Sequence, residues 1–264
     1  MKVTTTLRDN GKVNQIVPIM QEHLGSVMNL ARIKLLAFVL QALCVVQTVS
    51  LHKIASAMPT CVERDSNLRR LQRFLAGYAL NLDLIAKVIF ALLPVKTGLV
   101  LSLDRTNWKF GEVNINILML GVCYKNMAIP LMFKMLDKRG NSDTWERIAL
   151  MKNFIRWFGK DSIDCLLADR EFIGKGWLDF LNSNKIAYHI RSRNNFKVFC
   201  FDKNVEKPVF WLFNKLKGGE FYHHPKIIRI NGVLCYVSGM KTLGKDGKLD
   251  FLILISFKKP EESL

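Results

Sequence analysis

Three features of the sequence predict an α/β protein. The first third places apolar residues at helical spacing. The middle third begins with period-two strands and then alternates strand with helix. The last quarter is a series of short strands divided by Gly- and Asn-containing turns. The chain has 264 residues, half of them hydrophobic, enough to bury a sizeable core. Its formal charge is +17 and is spread along the chain: 12 basic against 5 acidic residues over 1–98, 15 against 10 over 99–195, and 12 against 7 over 196–264. A positive charge with no single basic tail points to a polyanion that touches several modules. Nucleic acid is the first candidate and an anionic membrane the second; the plain alternative is a generally basic soluble protein.

Other classes are disfavoured. Cys44, Cys61, Cys123, Cys165, Cys200 and Cys235 form no Cys-x2-Cys pair and no zinc spacing. Most lie in apolar runs, as buried reduced thiols of a cytoplasmic protein do. Met1-Lys-Val-Thr-Thr-Thr lacks the apolar core of a signal peptide. The most apolar run, Leu35 to Val49, is broken by Gln41 and Gln47 and falls short of the roughly 20 residues that span a bilayer, so a buried helix is expected rather than a membrane span; DNA is preferred to a membrane as partner.

In chain order, residues 12–49 read as helices: Ile16, Ile19, Met20 and Leu24 share a face, and Leu30 to Val49 is apolar almost all round. Ser50 is placed to cap a short helix to Met58, which Pro59-Thr60 ends. A further helix, about Glu63 to Ala79, sets Leu68, Leu71 and Leu75 against Ser66, Arg69, Arg70 and Arg73. Two short helices joined by a tight turn, the second with a basic outer face, resemble a helix-turn-helix within 50–79. Its arginines are then placed to bind phosphates, although an ordinary solvated helix face has the same pattern. Asn81 to Leu93 closes this helical region, 1–96, as one more helix.

Leu99, Leu101 and Leu103 alternate with Val100 and Ser102 in a strand that ends in Asp104. Val113–Tyr124 and Met127–Met135 follow with short links, giving an antiparallel meander; Pro130 lacks a ladder donor, which favours an edge strand or a bulge. A helix over Ser142–Phe158 buries Trp145, Ile148, Met151, Ile155 and Phe158. Then come a strand (Ile163–Ala168) ending in Asp169, a helix (Gly174–Asn182) and a strand (Ile186–Ile190). A meander followed by β-α units is the pattern of an RNase H-like mixed sheet, here over 97–194. Residues 195–258 read as a β-rich insertion with strands at Phe196–Phe201, Val209–Phe213, Glu220–Tyr222, Ile227–Ile230, Val233–Gly239 and Phe251–Phe257; Asn231-Gly232 is a hairpin signal.

Asp104 and Asp169 therefore end strands that are neighbours in such a sheet. Adjacent carboxylates repel unless cations lie between them, and magnesium prefers oxygen ligands while keeping waters and phosphate oxygens. Two such ions can hold the attacking and leaving oxygens of a phosphodiester displacement. The pattern thus suits a nuclease or a strand-transfer enzyme; capped or salt-bridged structural aspartates have the same spacing. Arg105, Lys109, Arg170, Arg191 and Arg193 flank the two acids. Arg191 and Arg193 are the candidates for DNA phosphates, while Arg105 and Arg170 are placed to neutralise the adjacent aspartates. Trp108 and Trp211 are each expected to pack rather than to stack on a base.

Asp104-Arg-Thr-Asn-Trp108, Asn141-Ser-Asp-Thr-Trp-Glu-Arg147 and Leu166-Leu-Ala-Asp-Arg-Glu-Phe172 resemble the motifs of DDE transposases of bacterial insertion sequences, closest to insertion sequence family four. The resemblance covers nearly the whole chain. It implies a helical N-terminal DNA-binding domain, an RNase H-like core with Asp104 and Asp169 as catalytic metal ligands, and a two-metal site for Mg2+ or Mn2+. The implied reaction is hydrolysis of double-stranded DNA at transposon ends, followed by attack of the 3′-hydroxyl on target DNA, in the bacterial nucleoid. The resemblance allows a homodimer in a synaptic complex. The family's third acid, a Glu in a Tyr-x2-Arg-x3-Glu-x6-Lys pattern, has no match; residues 259–264 follow the last strand where that helix is expected. The expectation is a transposase lacking its C-terminal part, with catalysis severely impaired. Glu171, two residues from Asp169, either substitutes for that acid, pairs with Arg170 or Arg191, or opens the next helix. The alternatives in function are a non-catalytic DNA-binding remnant that inhibits an intact enzyme, and a magnesium-dependent nuclease with another third acid.

Overall fold

A computed structural model describes residues 11–200, 204–230, 232–243, 247 and 249–259. The chain divides into two compact units, Met1–Leu93 and Pro94–Leu264. Asn231, half of the expected hairpin signal, lies outside the described residues.

The first unit holds α1 (Gly11–Leu24), α2 (Leu30–Val46), α3 (Leu51–Ala57), α4 (Arg64–Gly77) and α5 (Leu82–Leu92). The Asn29 side chain caps α2 by accepting the Arg32 N–H at 3.0 Å. The helix ends at Gln47, in the left-handed region with φ 49°, so the apolar run to Val49 is not all helical. Among the described residues, no single helix is long and apolar enough to cross a membrane. Met20, Leu24, Met28, Ile33, Leu71 and Phe74 are in one core.

Two expectations about α4 need correction. Its buried side is Asn67, Leu71 and Phe74, whereas Leu75 is 59% exposed. Phe74 takes the inward position and stacks on Tyr78 at 5.3 Å, and the Tyr78 hydroxyl donates to the Val27 carbonyl at 2.8 Å. The link from α3 is not a tight turn but the stretch from Met58 to Glu63. It is held by the Asn67 amide, which donates to Thr60 Oγ1 at 2.8 Å and to the Val62 carbonyl at 3.2 Å. Ser50 makes no side-chain cap to α3.

The second unit contains β1 (Leu99–Phe110), β2 (Val113–Tyr124), β3 (Met127–Met135), α6 (Thr144–Phe158), β4 (Ile163–Ala168), α7 (Lys175–Ser183) and β5 (Ala187–Arg191). The later strands are β6 (Lys197–Cys200), β7 (Val205–Pro208), β8 (Phe221–His223), β9 (Ile228–Ile230), β10 (Val233–Leu243) and β11 (Leu249–Ser256). They form one mixed sheet in the order β3-β2-β1-β4-β5-β11-β10-β9-β6-β7, with β8 beside β10. β1, β2 and β3 are antiparallel, and β4 and β5 run parallel to β1. The strands after residue 195 continue this sheet, because β11 pairs with β5 from Leu254↔Arg191 to Ser256↔His189.

Leu101 and Leu103 of β1, Leu118, Leu120 and Val122 of β2, Leu166 of β4 and Ile190 of β5 are buried on alternate positions, the period-two pattern of a covered sheet face. α6 packs on β3 and α7, and α7 on β5 and β10. α6 starts two residues later than expected, at Thr144, with a capping box: Asp143 Oδ1 accepts the Glu146 N–H at 2.9 Å and Glu146 Oε2 accepts the Asp143 N–H at 2.7 Å. Its buried side is Arg147, Ile148, Leu150, Met151 and Phe154, so Trp145, 77% exposed, is not part of the core. Pro130 is on edge strand β3, opposite Gly121 where the register shifts, as a residue without an N–H requires.

Val209–Phe213 is a 3-10 helix, not a strand: Pro208 precedes it, and Val209 and Phe213 are its buried residues. Trp211 is 38% exposed, with the Lys207 ammonium 3.8 Å from the centre of its ring. Cys235 is buried, Cys123 and Cys165 are half-buried, and Cys44 and Cys61 are exposed, so burial of the thiols is not general among the described residues.

Candidate functional site

β1 does not end at Asp104. It continues to Phe110 because β2 stays paired with it, from Asp104↔Met119 to Phe110↔Val113. What ends there is the pairing of β1 with β4, whose last pair is Leu103↔Ala168. Asp104 and Asp169 each follow that pair directly, so the two acids leave neighbouring parallel strands at the same level. Both residues are exposed, which removes the desolvation cost expected of a buried carboxylate. Asp104 Oδ1 accepts the Arg105 backbone N–H at 2.7 Å. Asp169 opens a short 3-10 turn, Arg170–Phe172, without capping it through its side chain. Among the described residues neither acid is in an ion pair.

Arg105 and Glu171 tie the two segments together. Arg105 Nε donates to Glu171 Oε1 at 2.9 Å and Nη2 to Oε2 at 3.0 Å, a two-pronged pair of planar groups. The same guanidinium donates to Asn116 Oδ1 and Asn141 Oδ1, each at 3.2 Å. The hydrogen bond to Glu171 is the main reason the Arg105 pKa is raised. Arg147 completes the cluster: its Nε donates to Ser142 Oγ at 2.8 Å and its Nη2 to the Glu171 carbonyl at 3.3 Å, and its guanidinium lies 5.1 Å from the centre of the Phe172 ring. Burial lowers its pKa. Glu171 therefore pairs with Arg105 rather than with Arg170 or Arg191, and the Arg105 guanidinium gives its hydrogen bonds to Glu171 while the adjacent Asp104 carboxylate acts on it through charge alone. Asn116, Asn141, Ser142 and Arg147 were not expected here, yet three of them lie inside the sequence motif 141–147.

The predicted DNA contacts fall in two places. Arg191 and Arg193, with Arg170, line a pocket of about 260 Å³ that also includes Asn194, Asp250 and Phe251. Asp250 Oδ1 accepts from the Phe251 N–H at 2.8 Å and from Asn194 Nδ2 at 2.6 Å. These bonds, together with Arg191 and Arg170, hold the Asp250 carboxyl below its usual range. In the other unit, Arg69 and Arg73 are exposed on α4, and Arg70 is half-buried, with Nη1 3.5 Å from Asn67 Oδ1.

The donor chemistry at Asp104 and Asp169 suits an oxygen-seeking divalent cation. It amounts to two carboxylates: among the described residues, no group of three or more His, Cys, Asp or Glu is placed to hold a metal ion. Glu171, engaged by Arg105, is not a third arm. No family model and no curated protein matches the chain.

Proposed function

We propose that the chain is a DNA transposase of the DDE type, in which Asp104 and Asp169 bind the divalent cation at which a DNA phosphodiester is cut and rejoined. The observation that carries this reading is the register: both acids directly follow the Leu103↔Ala168 pair of two parallel strands, exposed and, among the described residues, free of ion pairs. The order β3-β2-β1-β4-β5, a meander followed by parallel strands, supports an RNase H-like core. Magnesium is commonly held by one or two carboxylates, with water and phosphate oxygens filling its remaining positions. When bound, it polarises the phosphate and lowers the pKa of the attacking water or hydroxyl. Arg170, Arg191 and Arg193 bind the phosphates that seat the strand, and Arg69, Arg70 and Arg73 hold duplex DNA in the helical unit.

Glu171 is engaged by Arg105, and without a third unpaired acid beside the pair among the described residues cleavage is slow. The same lack also favours a second reading, a DNA-binding protein that occupies transposon ends without cutting them. Duplexes from the DNA flanking the coding sequence, incubated with Mg2+ or Mn2+, separate the two. Slow metal-dependent nicking that Asp104→Ala and Asp169→Ala both abolish supports the transposase. Binding that falls steeply with salt, with no nicking, selects the second reading. A chain that binds no DNA fits neither.

A further inference from the structure

The β1–β2 hairpin outruns its neighbours. β4 leaves β1 after Leu103, and β3 joins β2 only from Ile117. At the root of the hairpin the Leu136 N–H still donates to the Asn116 carbonyl at 2.8 Å; beyond it the pairs Trp108↔Ile115, Lys109↔Asn114 and Phe110↔Val113 form a two-stranded ribbon with no third strand among the described residues, closed by a turn at Gly111 with φ 60°. At about 3.4 Å per residue the ribbon's three pairs are roughly 7–10 Å long. A B-DNA major groove is about 12 Å wide and admits an element of this kind.

One face of the hairpin end is made of amides and cations. Directly opposed residues share a face, so Asn107, Lys109, Asn114 and Asn116 lie on one side, where with Arg139 they line a pocket of about 300 Å³. Asn116 is already committed: it accepts from Arg105, and its Nδ2 donates to the carbonyls of Lys138 and Gly140, each at 3.0 Å. Lys138 is also committed, to Asp143 at 3.1 Å and Glu146 at 2.8 Å. Asn107 and Asn114 are exposed amides; Lys109 and Arg139 are exposed cations in no ion pair among the described residues. Glu112, in the turn itself, is the ribbon's acidic residue. The base of the ribbon is stiffened by the hydrogen bonds that fix Arg105. Lys109 is five residues from Asp104 along one strand, about 17 Å.

We propose that the free end of the β1–β2 ribbon is a DNA-reading element that enters the major groove, with Asn107 and Asn114 at base edges and Lys109 and Arg139 on the flanking phosphates. Asn pairs in two-pronged fashion with adenine N6 and N7, so the preferred duplex carries A·T pairs at the contacted positions. The proposal rests on the DNA reading above and adds the groove, the reading residues and the base.

The test uses the full chain and a random-sequence duplex pool of about 20 base pairs, with rounds of selection followed by anisotropy titration at several salt concentrations. Lys109→Ala and Arg139→Ala each flatten the salt slope by about one and weaken binding to all sequences alike. Asn107→Ala and Asn114→Ala leave the slope unchanged and erase at least a tenfold preference at A·T positions. Lys109→Arg restores the slope, and unchanged melting temperatures exclude misfolding. An A-form RNA duplex, whose deep narrow major groove shuts out a ribbon, competes poorly. Wild-type binding that none of the four Ala variants alters, or equal competition by RNA, overturns the ribbon while leaving the DNA reading intact. A wild-type chain that binds no duplex overturns both. A chain that never cuts but shows these shifts keeps the ribbon and loses the catalytic reading.

Discussion

A guanidinium whose side chain is 11% exposed and which donates to four oxygens has one accessible geometry, and Arg105 spends that geometry joining β1 to the turn after Asp169. Glu171→Gln removes one charge and one of the two prongs, leaving Arg105 without its counter-ion. A partly buried pair of this kind is worth about 2 kcal/mol. The melting temperature of the second unit should then drop by roughly 4–8 °C, with divalent-cation affinity nearly unchanged. A normal melting temperature with lost metal affinity would instead make Glu171 a ligand. Arg105→Lys should destabilise to a similar extent, because an ammonium cannot reproduce the fork. Little of this pairing was legible in sequence. Arg105 and Glu171 are 66 residues apart, whereas Arg170 stands beside Glu171, and adjacency along a chain says nothing about which face a side chain takes.

Among the elements, strands with strict alternation were readable because one face is buried. Leu101, Leu103, Leu118, Leu120 and Leu166 leave no other register. Val209–Phe213 was not readable: an apolar run without alternation fits a strand or a helix equally, and Pro208 at its start decided for a 3-10 turn. β7, Val205 to Pro208, has no apolar alternation at all, since it is an edge strand that, among the described residues, pairs only with β6. The start of α6 was written in Asp143-x-x-Glu146, a capping signature that outranks Ser142. Asp143→Ala removes the side chain that caps the Glu146 N–H and should cost about 1 kcal/mol, seen as a lower melting temperature; no change would mean that Ser142 caps equally well. In α4, Asn67→Ala strands the Thr60 and Val62 oxygens and should lower the stability of the helical unit by about 1–3 kcal/mol, read by urea denaturation. An unchanged midpoint would show that the link from α3 is held by other contacts.

At the scale of the whole molecule, charge and pH set two expectations. With a formal charge of +17, the DNA binding proposed for the chain should be strongly salt-dependent; at about six phosphate contacts, affinity should fall roughly a thousandfold between 50 and 200 mM salt. His189, half-buried on β5, has its pKa lowered by burial from the ordinary 6.5. The unfolded chain binds that proton more readily than the folded one, so stability should fall as pH drops through 6.5 toward the lowered value. His189→Gln should flatten that part of the pH–stability curve; an unchanged slope would place the effect elsewhere. The central claim is that Asp104 and Asp169 act together on one cation. Electron paramagnetic resonance of Mn2+ added to the full chain with duplex DNA tests it most directly. The prediction is a bound-ion signal that Asp104→Ala and Asp169→Ala each eliminate and Glu171→Gln preserves. Retention of the signal in both Asp variants, or its loss in Glu171→Gln alone, would contradict it.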